Sequence, residues 1–159
     1  MRSALVALAG FALAALPASA LTVETKTSPE FEEKLTEDYG VRERAILSEA
    51  LAKKVEHSFT RAGVQADRVV VTIHDAKPNR PTFYQVSDKP GLDPLRSISI
   101  GGAKVTGVAY DASGKEIGSL EYDWYESDLS NVIAAGTWQD ARWVFTRFAD
   151  RFAKKLSAS

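Results

Sequence analysis

His74 and Asp75 stand side by side at the end of RVVVTIHDA, residues 68–76, the most β-branched run in the chain. An imidazole within reach of a carboxylate is the minimal kit for general-base chemistry. His74, oriented by Asp75 or by the more distant Asp93, therefore defines a catalytic option, a small hydrolase or lyase. Neighbouring side chains of a strand point to opposite faces, so the pair forms only if the strand bends at Asp75. The chain has no cysteine and two histidines, His57 and His74. A helix-to-strand connection separates the histidines and no serine sits in a nucleophile-elbow context, so neither zinc nor acyl-enzyme chemistry is favoured. We expect no metal and no cofactor.

A second group of chemically able residues follows the same run. Asp75, Asn79, Arg80, Asp93 and Arg96 bracket an excursion, residues 76–95, that carries Pro78, Pro81, Pro90 and Pro94. Proline density predicts a stiffened loop without a helix, and long ordered loops commonly carry binding groups. A guanidinium and an amide held there suit a carboxylate, a phosphate or a peptide carbonyl. Asn79 and Arg80 can alternatively close the loop locally onto Asp75 or Asp93. These five residues form the expected binding site of a noncatalytic protein, and that is the leading functional reading.

The elements that must position them are readable from periodicity. LTVETK, residues 21–26, alternates as a short first strand; EFEEKL, residues 30–35, reads as one turn or an irregular cover. Val41, Ala45, Ser48, Ala52, Val55 and Phe59, flanked by Leu47 and Leu51, recur at helical spacing up to Gly63, the expected stop. His57 lies beside that stripe, at the surface. Arg68–Ala76 is apolar on both faces, as in an inner strand. Arg96–Ile100 alternates as an extended lead into the following hairpin, with Gly101-Gly102 a bulge or a turn.

Residues 103–125 read as that hairpin, turning at Asp111–Gly114. With Tyr110 opposite Lys115, the register sets Val105 beside Leu120 and Ala103 beside Tyr122, with Lys104 against Glu121 on the polar face. The small Ala103, Val105, Gly107, Ala109 face lets an aromatic helix approach closely. That helix is expected over Trp138–Leu156, with Thr137 as N-cap, Asp140 completing a capping box, and Ala141, Val144, Phe145, Phe148 and Phe152 facing inward. The fold expected is therefore an α+β two-layer sandwich, a largely antiparallel sheet with two long helices on one face in the order β-α-β-β-β-α.

The chain opens with Met1-Arg2, an apolar run at Ala4–Leu16 and the small-residue sequence Pro17-Ala18-Ser19-Ala20. This pattern predicts an export signal, residues 1–20, cut after Ala20, and a periplasmic or secreted mature chain of one domain, residues 21–159. The formal net charge is −1. With no long basic tract to release counterions, nucleic acid is excluded as an expected partner, leaving an envelope protein or a small ligand. No membrane-spanning segment is expected in the mature chain.

The segment His74–Thr82, together with Gly91-Leu92-Asp93, Gly101-Gly102-Ala103, Asp123-Trp124-Tyr125 and Trp138-x-Asp140-Ala141, resembles a family of uncharacterised exported bacterial proteins carrying a domain of unknown function. The resemblance spans most of the mature chain. It implies a periplasmic or secreted bacterial protein and brings no activity or ligand with it.

Overall fold

The protein is described by a computed structural model over residues 20–158. All but the last residue of the expected leader lies outside the described residues. Strand β1 (Thr22–Thr27) leads through a short helix α1 (Pro29–Lys34) and a wide turn at Leu35–Tyr39 into helix α2 (Arg42–Ala62). Strand β2 (Arg68–Lys77), helix α3 (Phe83–Asp88), strands β3 (Gly102–Tyr110) and β4 (Glu116–Tyr125) and helix α4 (Gln139–Ser157) follow. The sheet order is β1-β2-β3-β4, with β1 and β2 parallel and the other neighbours antiparallel. The fold is thus the expected α+β arrangement of a largely antiparallel sheet with two long helices, β1–β2 being the one parallel pair among the described strands, and β2 is an inner strand.

Helices α2 and α4 lie together on one face. Val69, Val71 and Ile73 of β2 and Ala103, Val105 and Ala109 of β3 are buried beneath Leu47, Leu51, Val55 and Phe59 of α2 and Phe145, Phe148 and Phe152 of α4. Close approach depends on Gly107, where a Cβ would stand 2.7 Å from Phe148 Cζ and 2.8 Å from Phe152 Cε1. The buried stripe of α2 runs through Glu43, Leu47, Leu51, Val55 and Ser58-Phe59. The expected stripe is therefore rotated at its start: Val41 is 54% exposed and Ala45 is also on the surface. Leu47 and Leu51, larger than the alanines, set the phase because they bury more area. Gly63 ends the helix in the left-handed region at φ 64°.

Two other expectations are corrected, and the lead into the hairpin proves to be unpaired with any strand. The hairpin pairs Gly107 with Leu120, Val105 with Tyr122 and Ala103 with Trp124, two residues away from the expected register. The loop closes at Tyr110–Glu116 and an irregularity at Ile117 adds a further residue. A shift of two leaves every side chain on its expected face, and Lys104 Nζ still reaches Glu121, diagonally, at 2.8 Å. The proline-rich excursion does contain a helix. Prolines 78, 81, 90 and 94 spare residues 82–89, and Thr82 caps α3 reciprocally with Gln85, its hydroxyl accepting from Gln85 N at 3.2 Å. Residues 97–100, finally, join no strand.

The two ends of the sheet differ. At one pole lie Thr22, Arg68 and the 111–115 turn, with the last turn of α4 beside β4: Lys155 Nζ donates to Ser119 O at 2.7 Å. At the other pole lie the segments 28–41, 78–101 and 126–138 and the first turns of both long helices.

Candidate functional site

The expected site residues separate into two structural knots. Residue 79 is the centre of the first. Asn79 is 0% exposed: Oδ1 accepts from Asp140 N at 2.8 Å, and Nδ2 donates to Asp140 Oδ2 at 2.6 Å and Ser99 O at 3.2 Å. It thereby caps α4 from across the chain, and the expected Thr137 capping box is not formed: residue 138 is the N-cap and no side chain of its own turn serves it. The competing partner is better because it also satisfies the Asp140 carboxylate, which accepts from Gly101 N at 3.2 Å. Gly101 is required there, since a Cβ would stand 2.7 Å from the Asn79 amide. Gly102, at φ 153°, begins β3 with its Cα facing Trp124 O, where a Cβ would meet that oxygen at 2.3 Å. Close approach, rather than a turn, is what the glycine pair supplies.

Arg80 bonds backbone carbonyls. Nε donates to Ala134 O at 2.6 Å and Nη1 to Pro94 O at 3.3 Å and to Leu95 O. It staples the excursion to the 126–138 loop, in place of the expected closure onto Asp75 or Asp93. Asp93 organises its own turn, Oδ1 accepting from Leu95 N at 2.7 Å and Arg96 N at 2.9 Å. The Arg96 side chain is exposed.

Asp75 belongs to the second knot. A register shift between Ile73 and Asp75 makes His74 a bulged residue, so the strand does bend where the catalytic option requires. The two side chains nevertheless go to different partners. His74 Nε2 lies 2.9 Å from Thr106 Oγ1, while Asp75 accepts from Lys34 Nζ at 2.9 Å and from the Tyr125 hydroxyl at 2.8 Å. Burial first, then the bond to Asp75 and its charge, push the Tyr125 phenol far above its ordinary range. Tyr39 is pushed up to about 12, by burial first and then by the charges of Asp75 and Asp38. Both phenols are therefore neutral at ordinary pH, and Tyr125 serves as a donor to Asp75. Among the described residues no hydrogen bond joins His74 to Asp75 or Asp93, and no three His, Asp or Glu side chains gather as metal ligands.

A broad concavity lies elsewhere among the described residues. A cleft of about 800 Å³ opens between the first turns of α2 and α4 and helix α3. Tyr39 and Trp138 meet edge-on in its floor, ring centroids 5.6 Å apart. Trp138 is held by its indole Nε1, which donates to Glu43 Oε2 at 2.6 Å, both residues being buried. Val41, Ile46, Phe83 and Tyr84 supply apolar wall, with Phe83 75% exposed, and Arg42 and Arg142 supply cations. Gly40, at φ 97°, lets α3 close against the turn before α2, because a Cβ there would stand 2.7 Å from Tyr84 Cβ. The Thr82 hydroxyl adds a bond to Tyr39 O at 2.7 Å. The cleft is thus a built feature of well-bonded elements. Its size and mixture of apolar wall with few polar groups are those of a small-molecule site.

Sequence reasoning missed this cleft. The signals were Val41 and Ile46, apolar but out of phase with the Leu47–Leu51 stripe, and the Phe83-Tyr84 pair inside an otherwise polar loop. No protein-family model matches the chain, and neither does any curated protein. Among the described residues no helix is long and apolar enough to cross a membrane.

Proposed function

We propose that the protein is a noncatalytic, exported binding protein whose ligand is a small molecule with an apolar body, taken up in the cleft between α2, α3 and α4. The observation that carries this reading is the cleft itself: exposed Val41, Ile46, Phe83 and Tyr84 surround a floor locked by the Trp138–Glu43 bond. Folding gains nothing from leaving those four side chains in water, whereas a ligand covering them recovers about 25 cal/mol for each Å² buried. Export rests on the leader pattern of residues 1–20, and the compartment proposed is the periplasm or the medium. Asn79, Arg80 and Asp93 serve this function indirectly, by fixing the loops that form the pole.

The neutral fluorescent probe N-phenyl-1-naphthylamine tests the cleft. We expect saturable enhancement with the mature chain, lost in Ile46→Asp and Phe83→Asp variants that melt within a few degrees of the parent. Enhancement that is absent, or that both variants retain in full, overturns the assignment.

A further inference from the structure

The cleft carries an asymmetry of charge that narrows its ligand. Six of the nine arginines among the described residues have a partner. Arg44, Arg61 and Arg68 pair with carboxylates, Arg80 binds carbonyls, and Arg147 and Arg151 lie over aromatic rings. The guanidinium groups of Arg42, Arg96 and Arg142 make no such contact among the described residues, and two of these arginines line the cleft. The sole carboxylate in the wall is Glu43, and it lies at the floor, bonded to the Trp138 indole.

On the cleft reading above, we propose that the ligand is an amphiphilic anion, a fatty-acid-like carboxylate, with its chain against Val41, Ile46 and Phe83 and its head between Arg42 and Arg142. A guanidinium offers paired donors that match a carboxylate fork, and two of them at a partly apolar wall hold an anion better than in bulk water. The first turns of α2, 21 residues long, and of α4, 19 residues long, contribute to the same wall and add the positive ends of their dipoles. The Glu43 charge at the floor opposes an inverted pose with the head buried, so the same charge distribution sets the ligand's direction.

The test uses the mature chain and three ten-carbon probes, decanoate and decyltrimethylammonium below their micellar concentrations and decanol below its solubility limit, titrated against tryptophan fluorescence and by calorimetry. Decanoate is expected to bind at least about tenfold more tightly than decanol and far more tightly than the cation. Arg142→Gln and Arg42→Gln are each expected to weaken decanoate by about tenfold while leaving decanol unchanged. Equal binding of decanoate and decanol, or decanoate binding indifferent to both substitutions, overturns the anion assignment and leaves the apolar cleft standing. Failure of all three probes overturns both.

Discussion

Asn79 shows how a residue chosen for its chemistry is used for architecture. Its amide caps α4, satisfies Asp140 and ties residue 99 to the same point, all at 0% exposure. Asn79→Asp replaces the donor facing Asp140 Oδ2 with a second carboxylate. We expect a loss of about 3 kcal/mol at pH 7, since a buried like-charge pair has no compensation. The pair then shares a proton, so the folded state binds more protons than the unfolded chain and the deficit shrinks as the pH falls from 7 toward 4. Urea titrations at two pH values check this; equal deficits at both refute it. Tyr39 and Tyr125 predict a limit on the alkaline side. A phenol in the unfolded chain ionises near 10, whereas the folded chain holds Tyr39 to about 12 and Tyr125 higher still. Their contribution is complete below pH 10 and is lost as the pH rises from there through 12. Absorbance at the tyrosinate band should show two phenols titrating only as circular dichroism reports unfolding, and Tyr125→Phe should lessen that alkaline sensitivity.

At the scale of elements, the docking of α4 on β3 is the most sensitive contact. Gly107→Val places methyl groups where the Phe148 and Phe152 rings already stand within 3 Å of a Cβ, and should cost about 2 kcal/mol or more. Leu120→Lys, on the same face and opposite Gly107, should cost about as much, while Glu121→Lys, exposed on the polar face, should lower the melting temperature far less. Equal losses at 120 and 121 would reverse the face assignment. Faces of this kind were legible in the sequence because alternation survives a shift of two, as the hairpin register demonstrates. The phase of α2 was only half legible: Val41 and Ala45 fit the period, and only the bulk of Leu47 and Leu51 decides which stripe is buried. The cap of α4 was illegible, because its partner is 61 residues away and no local pattern announces a tertiary bond. The same reason hid the cleft, whose walls come from three separated segments.

At the scale of the whole molecule, most of the large apolar side chains left in water among the described residues are not scattered. Leu95 and Ile133, each about 80% exposed, join Val41, Phe83, Ile98 and Leu129 at the pole that bears the cleft. A monomer places single apolar residues anywhere on its surface, so their segregation to one end marks that end for interaction. Processing should deliver this pole as part of a chain beginning at Leu21, and intact mass of protein recovered from the periplasm checks it; a membrane-bound species retaining residues 1–20 would refute it. Strand β1 starts at the other pole, where Thr22 N donates to Asp67 O at 2.9 Å, and α4 ends there as well. A reporter protein or an immobilising tag joined ahead of β1 or behind α4 therefore departs from the far side. The molecule behaves as a cup held by its base, and a surface-tethered sensor made from it would present its mouth outward.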